Sequence, residues 1–253
     1  MARKPTLSPS KISTYLACPV KYRWTYVDSR GRWYLRSKAQ YSFGTTLHRV
    51  LERFHDSAEV GVTTIDEVAA AYEESWLEAG FTSGEEMAEA YGEGLEILER
   101  HVEATRERAG DAKTIAVEQT LRYDMGDFVL LGRIDRLDEH SDGTLEIVDY
   151  KTGRPNLSSE DVETDLAMSI YQLLLSKEHP GRPIRATLIS LRHEVSASAS
   201  LSEEALVELE EDLRQIGAKI LAEDLFDRDP VAKPMCLRCD FLMLCRKHPE
   251  FAT

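Results

Sequence analysis

The chain has 253 residues, 42% of them hydrophobic, enough for one substantial core, and a formal net charge of −14. No apolar run approaches the roughly 20 residues that a membrane-spanning helix needs, and no secretory segment is legible, so no membrane partner and a cytoplasmic location are expected. The acidic balance argues against a surface broadly coated in nucleic acid, but it is uneven: residues 1–53 hold 11 Lys and Arg against 2 Asp and Glu.

In chain order, Ser8 and Pro9 read as the cap and first residue of a short helix over Lys11–Ala17, which Pro19 limits. Gly31 and the polar run to Gln40 read as a loop. Phe43–Ala58 is helical, with Leu47, Val50, Leu51 and Phe54 on one face. Thr64 caps the next helix, and a longer acidic helix covers Glu85 to Arg106. The period then changes: Thr114–Tyr123, Phe128–Asp138 and Thr144–Lys151 read as strands, with Asp142-Gly143 as a hairpin turn. A helix at Ser159–Lys177, a strand at Ile184–Glu194 and a helix from Ser202 to Glu223 complete the chain. Helical ends around a β core predict an α/β or mixed α+β fold.

The basic N-terminal segment interleaves cations with rings. Lys21, Arg23, Trp24, Arg30, Arg32 and Trp33 supply phosphate partners and stacking platforms, the two parts of a single-strand track. A solvated basic arm whose rings fill a core is the plainer alternative.

Two strand motifs carry the chemistry: Gly132-Arg133-Ile134-Asp135 and Ile147-Val148-Asp149-Tyr150-Lys151. Residues two apart on a strand share a face, so Asp149 and Lys151 project together while Val148 and Tyr150 point away. The hairpin brings Asp135 to the same end. Two adjacent carboxylates call for a hard cation such as Mg²⁺ or Mn²⁺, which acidifies water and screens charge on a phosphoryl transition state. A neighbouring ammonium orients the nucleophile and stabilises the same charge. Glu118 and Glu146 fall near this site, where a supporting role and a solvated strand face explain them equally. His48, on a helix beside Leu47, Val50 and Leu51, reads by itself as a boundary residue.

The four cysteines are Cys18 and the run Cys236-x2-Cys239-x5-Cys245. Three thiolates on one C-terminal loop need a fourth ligand, and Cys18 is the remaining cysteine, so a metal would staple the two ends of the chain. Soft thiolates suit Zn²⁺ or an iron–sulfur cluster, and the spacing leaves both open.

Together these motifs resemble the PD-(D/E)XK nuclease superfamily, in particular the RecB-like and CRISPR-associated iron–sulfur nucleases. The resemblance runs from Leu7-Ser8-Pro9-Ser10 and Tyr15-Leu16-Ala17-Cys18-Pro19, through Gly44-x3-His48, Asp135, Asp149 and Lys151, to the C-terminal cysteines. It implies that His48, Asp135, Asp149 and the Tyr150 carbonyl hold Mg²⁺ or Mn²⁺, that Lys151 positions the nucleophile, and that the cysteines hold a [4Fe–4S] cluster. The family's glutamine four residues before a tyrosine is missing: Tyr171 is present as a candidate orienting group, but Ala167 stands four before it. Gln172 is adjacent and would face elsewhere.

The fold implied is a restriction-endonuclease-like core, a small mixed sheet flanked by helices, within a single domain over 1–253. Residues 1–60 would be the basic helical segment, 61–112 a helical insertion, 113–200 the nuclease core and 201–253 the C-terminal helix and cysteine motif. The expected activity is metal-dependent DNA cleavage, exonucleolytic and on single strands, in repair, recombination or CRISPR-type processing, with a helicase as a further partner. Two rivals are a non-catalytic cluster-stapled DNA-binding subunit and an iron–sulfur redox protein. The set His48, Asp135, Asp149 and Lys151 argues against both, since neither needs it.

Overall fold

The computed structural model describes residues 4–56, 62–107, 112–248 and 251. It opens with β1 (Thr6–Leu7), α1 (Pro9–Ala17), α2 (Pro19–Tyr22), a π turn (Arg23–Val27) and a 3-10 turn (Ser29–Trp33). Next come α3 (Ala39–His55), α4 (Ile65–Ser75), α5 (Gly84–Glu107), β2 (Ala112–Asp124), β3 (Val129–His140) and β4 (Leu145–Lys151). The chain continues through α6 (Ser159–Glu163), α7 (Leu166–Glu178), β5 (Ile184–Ser190), β6 (Val195–Ala199), α8 (Glu203–Ala222), a 3-10 turn (Pro234–Arg238) and α9 (Leu242–Cys245). The described strands form one mixed sheet in the order β1-β3-β4-β5-β6, with β2 also on β3. A mixed sheet flanked by helices is the restriction-endonuclease-like α+β arrangement that the sequence implies.

By packing, the chain divides into two compact units: Met1–Arg36 with Asp124–Leu130 and Glu211–Thr253, and Ser37–Tyr123 with Leu131–Glu210. In the first, Ser8 caps α1 by accepting the Lys11 N–H, and Leu7, Ile12, Tyr15, Phe128, Leu213 and Phe241 are buried. The two chain ends meet there through side chains: Arg23 Nη1 donates to the carbonyls of Leu225 and Phe226, and Lys233 Nζ to that of Ala17.

In the second unit β3 and β4 are antiparallel from Arg136↔Val148 to Glu139↔Leu145, and β4 and β5 are parallel. Val148 and Tyr150 join the core formed with Phe43, Leu47, Val50 and Leu51 of α3 and Ile97, Leu98 and Val102 of α5. The segment Met168–Leu175 of α7 is buried throughout, so this helix is internal rather than amphipathic.

Three elements differ from the sequence reading. The helix expected over Ser159–Lys177 is two helices, because Asp165 re-caps the chain by accepting the N–H groups of Ala167 and Met168. The strand expected over Ile184–Glu194 turns after Ser190, with Glu194 at φ +54°, and returns as β6, whose Val-Ser-Ala-Ser-Ala run is poor in strand-forming residues. The loop expected after Gly31 begins in a 3-10 turn, where a Cβ on Gly31 would lie 1.8 Å from the Trp24 carbonyl oxygen. Ser57 and Ala58, the end expected for the first long helix, lie outside the described residues.

The first glycine of Gly-Arg-Ile-Asp has a steric reason. A Cβ on Gly132 would come within 2.7 Å of Leu174 Cδ1 and 2.8 Å of Tyr171 Cδ1, where α7 crosses the strand. Gly132→Ala is therefore expected to destabilise the protein by about 1–3 kcal/mol through overpacking, read as a lower urea midpoint with an unchanged slope.

Candidate active site

The β3–β4 ladder ends at Arg136↔Val148. One residue beyond it a side chain takes over: Asp135 Oδ2 accepts the Tyr150 N–H at 2.8 Å. Asp135 is thereby fixed beside the strand that carries Asp149 and Lys151. Those two leave β4 together, with Lys151 Nζ 2.7 Å from Asp149 Oδ2. Tyr150 turns its ring the other way, where Arg136 Nη1 donates to its hydroxyl at 2.6 Å. Helix α3 supplies His48, whose Nε2 lies 3.1 Å from the Tyr150 carbonyl oxygen and whose Nδ1 lies 3.3 Å from Asp135 Oδ1.

Electrostatics leave the site short of positive charge. Burial and then the neighbouring Asp135 push the Asp149 carboxyl up, while Lys151 and His48 pull it down without cancelling the rise. Burial works against the charge on Lys151, but Asp149 outweighs it and holds the ammonium above its ordinary value. His48 follows the same pattern: burial opposes its charge, and Asp135 and Asp149 raise it. Two like unit charges about 4 Å apart cost about 4 kcal/mol at an effective dielectric near 20, so a divalent cation is a natural occupant.

The donor set fits one. Nitrogen and oxygen atoms of His48, Glu118 and Asp135 all lie within 4.8 Å of one another. The 3.1 Å between His48 Nε2 and the Tyr150 oxygen is close to the roughly 3.0 Å edge of an octahedron with ligands about 2.1 Å from its centre. Asp149 Oδ2 is buried, with the Lys151 ammonium 2.7 Å from it. The Tyr171 phenol feels these carboxylates: it is pushed up by burial, then by Asp149 and Asp135. Gln172 faces away and accepts the Leu201 N–H at 2.9 Å.

A family model for the PD-(D/E)XK nuclease superfamily matches residues 6–246. The chain belongs to that superfamily. A solved "Putative exonuclease" from Eubacterium rectale is 11% identical, with a TM-score of 0.50 and 92% of each chain covered. The crystal structure of SSO0001 is 13% identical, with a TM-score of 0.43, covering 98% of this chain and 88% of that one. No curated protein matches.

In this nuclease the four thiols converge. Cys18, Cys236, Cys239 and Cys245 line one pocket with Met235, Phe241 and Leu242, and none is in a disulfide. Burial, then Cys239, Cys18 and Cys236, push the Cys245 thiol up to about 11. Cys18 Sγ accepts the Lys21 N–H, and Cys236 Sγ the Lys233 N–H, both at 3.4 Å. Such backbone donors steady a ligating sulfur. The donor set fits a four-thiolate centre.

The N-terminal residues expected to touch DNA separate into two groups. Arg23 is buried, its guanidinium on the Leu225 and Phe226 carbonyls, so it is an internal clasp and not a phosphate contact. Trp24 is half-buried, stacked on Phe241 and covered by Arg23. Arg30 pairs with Asp28 at 2.6 Å, and Lys21 lines the thiol pocket. Trp33 remains 75% exposed under the Arg32 guanidinium. Among the described residues no helix is long and apolar enough to cross a membrane.

Glu118, for which the sequence left a supporting role and a solvated strand face equally open, has its carboxylate within 4.8 Å of donor atoms of His48 and Asp135. It sits on β2 at φ +48°, a backbone break that strand alternation cannot reveal.

The raised carboxyl of Asp149 has a pH signature. A folded-state pKa above the unfolded value adds stability at low pH that is lost as pH rises through it. Asp149→Asn should therefore be more stable than the metal-free wild type at pH 8, with the advantage shrinking toward pH 5. Mn²⁺ at a hundredfold its dissociation constant should stabilise the wild type by about 2.7 kcal/mol, about 5–10 °C in Tm. The variant should lose most of that gain in differential scanning fluorimetry.

Proposed function

We propose that this nuclease hydrolyses DNA phosphodiesters with Mg²⁺ or Mn²⁺ at His48, Asp135, Asp149 and the Tyr150 carbonyl. The observation that carries the reading is the Lys151 ammonium paired to a buried carboxylate with a second carboxylate and an imidazole beside it, in a chain of nuclease ancestry. The cation supplies Lewis acidity and neutralises charge on the scissile phosphate. Lys151, held charged by Asp149, donates to the attacking water and to the oxygen that gains charge. Tyr171 keeps its proton and orients either the substrate or the lysine. Lys151→Ala or Asp149→Ala should abolish cleavage of end-labelled single- and double-stranded DNA in Mg²⁺ and Mn²⁺, with circular dichroism and DNA affinity nearly unchanged. A lysine variant at wild-type rate in Mn²⁺ would remove Lys151 from the mechanism.

The favoured substrate is single-stranded DNA attacked from an end, in repair, recombination or CRISPR-type processing, with a helicase as candidate partner. Trp33 is the exposed ring that supports this, with Arg32 beside it and Lys21, Trp24 and Arg30 in the same segment. Trp33→Ala should cost up to roughly 1–3 kcal/mol of single-strand affinity with little change in salt slope, while Arg32→Ala should flatten the slope. Unchanged binding in both would move the DNA path elsewhere.

The four thiols are proposed to hold a [4Fe–4S] cluster, with Zn²⁺ as the alternative. Cluster-loaded protein, purified anaerobically, should be brown, absorb near ~400 nm and contain about four irons per chain. Cys18→Ser should lose colour and stability together. A colourless protein with a single tightly held zinc would overturn the cluster and leave the nuclease reading intact.

A further inference from the structure

Glu118 reaches the active site from a strand that carries none of the other acids, and it does so at φ +48°, a conformation that L residues adopt at a cost. Its carboxylate lies within 4.8 Å of donor atoms of both His48 and Asp135. Asp149, on β4, is outside that trio, although burial and then Asp135 push its carboxyl up and the Lys151 ammonium lies 2.7 Å from its Oδ2. Hard donors from three elements, α3, β2 and β3, thus close on one point.

The Glu118 carboxylate is already engaged. Arg133 Nε contacts Glu118 Oε2, with 63% of the arginine side chain exposed and 15% of the glutamate side chain. Burial and Asp135 still push the Glu118 carboxyl up despite that guanidinium. An exposed arginine on a long stem gains little from such a pair and can swing into solvent. A divalent cation between three inward-facing donors brings twice the charge.

We propose that Glu118 is a ligand of the cation held at His48 and Asp135, and that its ion pair with Arg133 is the contact that cation binding opens. Arg133 is then a resident counter-ion: it neutralises Glu118 in the metal-free site and weakens cation affinity by its presence. The inference rests on the active-site assignment above and adds a ligand and a competitor to it.

The test is isothermal titration of the full-length protein with Mn²⁺, whose preference for oxygen and nitrogen donors keeps it off the four thiols. Glu118→Gln, which preserves shape and backbone demand, should weaken Mn²⁺ binding at least about tenfold, the scale on which partners of a metal site act. Arg133→Gln, at an exposed position that leaves the fold intact, should tighten it severalfold. In the Glu118→Gln background the arginine change should have no effect, since the two act through one contact. Asp135→Asn provides the control. If it loses Mn²⁺ while Glu118→Gln binds like the wild type, the glutamate is not a ligand and the active-site assignment stands. If Asp135→Asn also binds like the wild type, the assignment and this inference fall together. Unchanged or weakened binding by Arg133→Gln would remove the competing ion pair.

Discussion

Repulsion between Asp135 and Asp149 is the constraint on which the site depends. Burial, and then Asp135, push the buried Asp149 carboxyl up, an arrangement that a fold keeps only if something else compensates. Lys151 and His48 supply part of the compensation, each pushed up by the neighbouring carboxylates against its own burial. The remaining deficit is what a divalent cation fills. A site built this way is incomplete by design, and its tension in the metal-free state becomes affinity for the metal.

Holding two repelling groups together takes rigid backbone. The Tyr150 N–H, which β3 would otherwise have paired, is given to Asp135, so one ladder hydrogen bond is exchanged for the position of a ligand. Tyr150 is then fixed from behind by Arg136, which also meets His55 Nε2 at 2.8 Å. Burial, then Arg136 and His101, keep His55 well below the ordinary imidazole range, so it accepts that contact as a neutral ring. The buried polar network and the active site thus share one residue, facing opposite sides of the same strand.

Donor softness separates the two candidate metal centres. Carboxylates, a carbonyl and an imidazole suit hard or borderline cations, whereas four thiols suit zinc or iron–sulfur chemistry. Each set lies wholly within one of the two packing units. Charge follows a similar division along the chain, with the cations concentrated in residues 1–53. Composition nevertheless misjudged Arg23. A guanidinium that donates to two carbonyls inside the fold counts as positive charge in a sequence but offers none to a phosphate.

Much of this protein was legible because its motifs are local. The period-2 pattern around Asp149 and Lys151 sets which side chains share a face, the cap at Ser8 starts α1, and Cys236-x2-Cys239-x5-Cys245 has metal-ligand spacing whatever surrounds it. Periodicity also located the three long strands, since their large apolar residues must alternate against a core. What depended on the tertiary structure was every contact between residues distant in sequence. His48 read by itself as a boundary residue and owed its expected metal role to the family resemblance, and only the tertiary structure shows α3 bringing it to Tyr150 and Asp135. Gly132 acquired its reason from the crossing of α7. Strand β6 could be recognised only by its ladder to β5, because serine and alanine carry almost no strand preference of their own. Glu118 comes within 4.8 Å of His48 and Asp135 at a positive φ that no residue pattern encodes. Local chemistry is written in the order of residues, but the convergence of ligands from separate elements is a property of packing, and packing is decided by the whole chain at once.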